Sequence, residues 1–425
     1  MKLKEKFAAM IPGLRDELKA IAKDHAGDKI SDVTVAQAYG GMRGVKGMIC
    51  DTSYVDPEKG LIIRGYPIGD LTDRLPEEIL FLLLTGELPT DDELDDLKAD
   101  MQKRQNVPEY VWDVLRAMPP DSHPMAMLDT AILVMERESV FRQKYDEGIP
   151  KTEYWDPCFE DLLNLIAKLP GAAAGMYRIR FNKGDVIQPK PDLDLGGNYA
   201  HMLGIDDPTG EFANLMRLYL TLHSDHEGGN VSAFATHTVG SALSDVYYAL
   251  SAGLNGLAGP LHGLANQECL KFVLSINEKF GGSPTKEQLT EFAWDILNSG
   301  RVIPGYGHAV LRATDPRFTA FHAFGSRVCP EDPAFKTVSM MFENVPGILK
   351  EHGKAKNPWP NVDAGSGALL YHFGMTEFSY YTVLFGVSRA MGVLSQLVIN
   401  RALGTAITRP KSVTTEWIKK EVGMA

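Results

Sequence analysis

Four short glycine-rich segments concentrate side chains able to move protons or hold anions: HSDHEGGN (223–230), GPLHGLANQE (259–268), GYGHAVLRATDPR (305–317) and NPWPNVDAGSG (357–367). Glycine inside regular structure costs roughly 0.5–1 kcal/mol relative to alanine. A chain tolerates that where a turn needs positive φ or a ligand must approach the backbone. His308 directly follows Gly-Tyr-Gly, with Arg312 and Arg317 behind it; it is either a surface residue beside a turn or a group facing an anion that the arginines hold. His223 and His226, beside Asp225 and Glu227, have spacing that could ligate a metal. Equally, they could close a helix ended by Gly228-Gly229, where histidine meets the helix dipole favourably. His262 follows Gly-Pro at a position that suits a helix start, where the dipole disfavours protonation and a neutral imidazole can donate to a carbonyl oxygen. Asp363 follows the stiff Asn-Pro-Trp-Pro-Asn-Val and could be a helix N-cap or a general base.

The elements that must carry these segments are helical. PEEILFLLLTGELPTDDELDDLKADMQKRQ, CFEDLLNLIAKLP, GEFANLMRLYLTLHSDH and KEQLTEFAWDILNSG repeat apolar residues at three- and four-residue intervals. MICDTSYVDPEKGLIIRGYPI reads as one β-hairpin around Asp-Pro-Glu-Lys-Gly. The expected fold is therefore all-α with a small β-hairpin near the N-terminus. YYTVLFGVSRAMGVLSQLVIN (380–400) nearly reaches membrane-spanning length, with Arg389 its only charge. A central arginine is rare in lipid, so the run predicts a buried helix whose guanidinium needs an anion, from a structural carboxylate or from a ligand. The Ala-, Ser- and Gly-rich run 230–259 predicts closely packed helices, as at a domain or subunit interface.

A length of 425 residues favours two domains, and a net charge of −12 argues against nucleic acid and against anionic membrane surfaces as partners. Cys50, Cys158, Cys269 and Cys329 lie far apart, with no CxxC pair, which suggests a reducing compartment and no zinc ribbon. The N-terminal 25 residues are amphipathic but carry Glu5, Asp16 and Glu17, unlike a transit or signal peptide, and read as a structural helix. There is no internal repeat and no Walker-type loop; GGMRGVKG (40–47), which contains Arg43, is only a weak phosphate motif.

Taken together, HSDHEGGNVSA, NGLAGPLHGLANQE, VIPGYGHAVLR with TDPR, GKAKNPWPNVDA, MTE with YYTVLFGVSRA, and RPKS resemble the citrate synthase family, in its eukaryote-type branch. The resemblance runs over nearly the whole chain and is looser in 76–200. It implies a homodimer of two-domain subunits. The large helical domain would be residues 1–263 and 375–425, and the small helical domain 264–374 would be inserted between its halves. It further implies condensation of acetyl-CoA with oxaloacetate and hydrolysis of citryl-CoA, without a metal or bound cofactor. Asp363 would be the general base, His262 the enol or enolate stabiliser, and His308 the group that polarises and protonates the oxaloacetate carbonyl. His226, Arg317 and Arg389 would contact oxaloacetate or citrate, with Arg409 lent to the neighbouring subunit. Arg43, Lys151, Val302, Gly305, Gly307 and Arg312 would contact CoA.

This chain departs from the family pattern in three places. Gly365 stands where relatives carry histidine, which predicts a looser loop around Asp363; Phe234 also replaces a histidine, and Lys151 replaces an arginine and so loses bidentate geometry. A preference for propionyl-CoA, giving 2-methylcitrate, is the nearest rival activity. A metal-dependent hydrolase built on HSDHE is a rival of another class, and a catalytically silent helical scaffold is a third. A start at Met1 without a presequence favours bacterial cytoplasm, with the mitochondrial matrix after processing as the alternative.

Overall fold

In the computed structural model, which describes residues 1–308 and 310–424, helices dominate as the spacing predicts. Helix α1 (Lys2–His25) and the short α2 (Val35–Tyr39) precede the sheet; α3 (Pro76–Thr85), α4 (Asp91–Arg104), α5 (Glu109–Ala117), α6 (Pro124–Met135) and α7 (Val140–Asp146) follow it. Then come α8 (Trp155–Arg180), α9 (Leu195–Leu203), α10 (Glu211–Leu222), α11 (Val231–Ser241) and α12 (Val246–Leu257). The chain continues through α13 (Ala265–Phe280), α14 (Lys286–Asn298), α15 (Pro316–Val328), α16 (Pro333–His352) and α17 (Asp363–His372), and ends with α18 (Tyr381–Leu403) and α19 (Thr415–Glu421). The apolar run from Pro76 divides into two helices. Gly86, at φ +80°, ends α3, and Thr90 opens α4 with a reciprocal capping box to Glu93.

The expected hairpin is a three-stranded antiparallel sheet, β1 (Ser53–Asp56), β2 (Gly60–Ile63) and β3 (Tyr66–Pro67). The extra strand follows from Arg64-Gly65, both at positive φ, a two-residue turn that pairs Ile63 with Tyr66. At the first turn, Asp56 accepts the Glu58 and Lys59 N–H groups, and Gly60 lies against Pro316 so closely that a Cβ would fall 2.5 Å from its ring. The sheet thus presses on the start of α15.

Helix α18 is long and apolar enough to cross a membrane, yet 94% of its apolar window is buried inside the fold, packed on α8, α11, α3 and α12. Burial of this kind is what a central core helix requires. The small residues of 230–259 act as predicted: a Cβ on Gly253 would lie 2.2 Å from Thr236 Oγ1, so α11 and α12 meet nearly backbone to backbone. Helices α13 to α17 pack on one another and meet the remainder through α15 on α10 and α13 on α18.

Candidate active site

The four glycine-rich segments are the connections α10–α11, α12–α13, α14–α15 and α16–α17, the last running into the first turn of α17. His226 and His308 face each other with ring centroids 5.6 Å apart. Arg317 at the start of α15, Arg389 in α18 and Asp363 at the start of α17 all sense one another's charge. His262 joins this group through Phe385, 6.0 Å from its ring, over which Arg389 also lies at 4.8 Å.

Backbone donors fix both candidate catalytic imidazoles. His262 sits in the turn ahead of α13, two residues before its cap, rather than at the helix start. The Ser232 backbone N–H donates to its Nε2 (3.3 Å), and the Ser232 hydroxyl, 2.9 Å from the same nitrogen, is shared with Asn230 Oδ1. A backbone N–H can only donate, so Nε2 accepts and the ring proton resides on Nδ1. Burial, then the Arg389 charge, push this histidine down to about 4. His308 is set the opposite way: its Nδ1 accepts from the Val310 and Leu311 N–H groups, each at 3.0 Å, leaving the proton on Nε2. Burial and Arg317 hold it below the usual histidine range, against the pull of Asp315. His226 is held well below that range by burial, Arg317 and Arg389. Near neutral pH these rings are uncharged.

Asp363 is the first residue of α17 rather than its N-cap, so the carboxylate is not consumed in capping. Burial, supported by Asp315, raises it to about 6, while Arg317 and Arg389 oppose the shift. Arg317 is buried and binds Asp315 through two side-chain bonds (3.0 and 2.7 Å). Arg389 is buried too, but its Nε donates only to the His223 carbonyl (3.2 Å), and among the described residues no carboxylate lies within ion-pair distance. Burial lowers it to about 10. Of the two anion sources the sequence left open, a structural carboxylate is therefore not in direct contact among the described residues; Asp225 and Asp363 act on Arg389 through their charge alone. A buried cation with no directly bonded anion is costly, and a ligand carboxylate would offset that cost.

His223 is buried, pushed down to about 3, and bound through Nδ1 to the Tyr219 carbonyl. Asp225 is occupied by the Thr52 hydroxyl (2.6 Å). Among the described residues no three His, Cys, Asp or Glu groups gather as a metal site.

Gly305 and Gly307 have φ of +80° and +99°. A Cβ on Gly305 would fall 2.8 Å from Cys269 Sγ and 2.9 Å from Ala364 Cα, so close approach excludes a side chain there. Val302, Gly307 and His308 line a cavity of about 360 Å³ together with Arg301, Lys354 and Lys356. Arg312 is exposed; its backbone N–H donates to the Pro57 carbonyl of the hairpin turn, and its guanidinium to the Val310 and Leu311 carbonyls. Arg43, Lys151 and Arg409 are exposed and not brought to this cluster. Lys151 lines a separate cavity with Met48, His237, Arg401 and Thr408.

Sequence reasoning missed Ser232, Asp315 and the lysines of the 360 Å³ cavity. Asp315 was findable, because Asp-Pro at the head of an apolar repeat is a helix-start signal; Ser232 acts partly through its backbone, which no residue type encodes.

The family model described as "Citrate synthase, C-terminal domain" matches residues 41–411. The mitochondrial citrate synthase of Saccharomyces cerevisiae is 50% identical over 99% of this chain and 89% of its own. The mitochondrial 2-methylcitrate synthase of Yarrowia lipolytica is also 50% identical, over 99% of this chain and 93% of its own. The solved citrate synthase of Pyrobaculum aerophilum superposes with a TM-score of 0.80 at 29% identity, covering 91% of this chain and 95% of its own. A family match over most of the chain, with half its residues shared with a relative over nearly its whole length, means that the chain belongs to the citrate synthase family and is an acyltransferase.

Proposed function

We propose that the protein condenses acetyl-CoA with oxaloacetate to citryl-CoA and hydrolyses that thioester to citrate and CoA. The observation that carries this reading is the pair of neutral imidazoles with opposite fixed tautomers, which share the charges of Arg317 and Arg389 with a carboxylate raised to about 6. The Asp363 carboxylate removes a methyl proton from the thioester. This is feasible only if the developing oxygen charge is met at the same moment. His262 meets it by donating from Nδ1–H. His308 donates from Nε2–H to the oxaloacetate carbonyl and gives that oxygen the proton as the C–C bond forms. Water then attacks the thioester carbonyl, and CoA leaves as the thiol. His226, Arg317 and Arg389 hold the two carboxylates, and this anion offsets the burial of Arg389. Val302, Gly305, Gly307 and Arg312 contact CoA from the same chain. The scheme uses no metal and no prosthetic group.

The site would lie between a large domain, 1–263 with 375–425, and a small domain, 264–374, which closes over oxaloacetate and excludes water. Mutual packing of α13 to α17 supports that division. A homodimer is supported by exposed apolar side chains on α6, α11, α12 and the turn after α11, namely Leu133, Phe234, Tyr248 and Leu243. Arg43, Lys151 and Arg409 belong to the same assembly reading, as groups offered to the second copy's site. For compartment, the Saccharomyces and Yarrowia relatives are mitochondrial, which supports the matrix over bacterial cytoplasm.

A second reading, 2-methylcitrate synthesis from propionyl-CoA, is kept open by the similarly identical Yarrowia enzyme. Steady-state kinetics with each thioester and oxaloacetate decides between them. The expected result is a higher kcat/KM for acetyl-CoA; a higher value for propionyl-CoA assigns the second reading. Activity should survive exhaustive chelation, whereas its loss would revive a metal-dependent reaction.

A further inference from the structure

We infer that Asn361 is a positioning residue that holds His308 and Asp363 in register with each other, an inference that rests on the roles proposed above for those two groups. Asn361 lies two residues before Asp363, and its Oδ1 accepts the Asp363 backbone N–H (3.0 Å). Its Nδ2 donates to the carbonyl of Gly307 (3.0 Å), the residue immediately before His308. Its own backbone N–H donates to the Gly305 carbonyl (2.9 Å). A helix cap would need only the first of these bonds. The other two reach a loop more than fifty residues away in sequence and fix the peptide that carries His308. Gly307, at φ +99°, presents its carbonyl from a conformation that other residues rarely adopt. One side-chain amide thus joins the proton donor's loop to the base, beside backbone bonds from the Gly307 N–H to the Trp359 carbonyl (3.1 Å) and from the Asp315 N–H to the Pro360 carbonyl (3.2 Å). Reacting groups displaced by about 1 Å can lose roughly 100-fold in rate, so this tether bears on chemistry as well as on folding.

Asn361→Asp separates the two roles. It keeps the acceptor for the Asp363 N–H, and aspartate caps as well as asparagine does, but it loses the donor to Gly307. The new charge would also raise Asp363, which already faces Arg317 on α15 and that helix's N-cap Asp315, Arg389 on α18, Tyr219 on α10 and Cys269 on α13. The readout is therefore the plateau kcat of a full pH profile, measured with the oxaloacetate dissociation constant and the melting temperature. Asn361→Ala, which adds no charge, is measured beside it. The expected result is a plateau kcat lowered roughly 10- to 100-fold in both variants, with oxaloacetate affinity retained, and with the melting temperature retained in Asn361→Asp. The inference is overturned by any of three results: a plateau within about threefold of the parent in either variant, full recovery of Asn361→Asp at high pH, or a comparable loss of oxaloacetate affinity. If the parent makes no citrate, the functional reading fails instead. An active parent with unchanged variants removes only the tether.

Discussion

At His262 and His308 the backbone, more than any neighbouring side chain, decides which ring nitrogen carries the proton. The N–H of Ser232 claims Nε2 of one, and those of Val310 and Leu311 claim Nδ1 of the other. Asp363 is the complementary case, a carboxylate kept costly to ionise by burial and raised to about 6. If Asp363 is the base it must be ionised, so kcat/KM should fall as pH drops through about 6, a limb that a pH–rate profile measures. The same shift has a stability consequence. The folded protein binds this proton more tightly than the unfolded chain does, so the group's contribution is fully present below the ordinary aspartate range and lost as pH rises through about 6. Asp363→Asn should therefore raise the unliganded melting temperature at pH 8 and lose that gain at pH 4, as thermal melts at the two pH values would show. A lower melting temperature at pH 8 would mean that the carboxylate is not strained by burial. At this scale the sequence was informative about identity and silent about state. A histidine or aspartate among glycines is visible as a candidate, but its tautomer depends on N–H groups that any residue supplies.

The elements hold those residues by close approach. The Gly305 loop lies on Cys269 and Ala364, and the sheet turn at Gly60 lies on Pro316. Gly365 belongs to the same pattern and corrects an expectation, since it sits buried within α17 rather than loosening a loop. A Cβ there would be 3.2 Å from Phe318 Cε2, so the Phe318 ring fills the space that a side chain would need. Gly365→His should cost about 1–3 kcal/mol through overpacking, and Phe318→Ala in the same chain should recover part of it. Denaturant melts of the single and double variants test this; a fully stable Gly365→His would mean the ring moves freely. Helix identities were readable from apolar spacing, but the break between Gly86 and Thr90 was passed over, although Thr90 and Glu93 form a capping box there. The third strand was not readable, because a reading as one hairpin around Asp-Pro-Glu-Lys-Gly leaves out the second turn at Arg64-Gly65.

Across the whole molecule, the residues left outside the cluster define the remaining question. Arg43, Lys151 and Arg409 are exposed, and the Lys151 cavity shares Thr408 with the segment leading to Arg409. The roles implied for them rest on the resemblance alone, with only a weak motif around Arg43, and their distance from the site in one chain was not legible, because residue types do not say where a distant segment lies. If Arg409 completes a second copy's site, Arg409→Ala and Asp363→Ala dimers should each be nearly inactive, whereas their heterodimer should recover one working site. Purifying the mixed dimer from differently tagged chains measures this: about half the parental activity is expected, and none would mean that Arg409 acts within its own chain. The central claim, that Asp363 drives a condensation on oxaloacetate, is tested most directly by following CoA thiol release from acetyl-CoA, with citrate identified as product, in the parent and in Asp363→Asn. The parent should release CoA only when oxaloacetate is present, and the variant should be slower by roughly 10²–10⁴. Release that ignores oxaloacetate, or a variant as fast as its parent, would contradict the account.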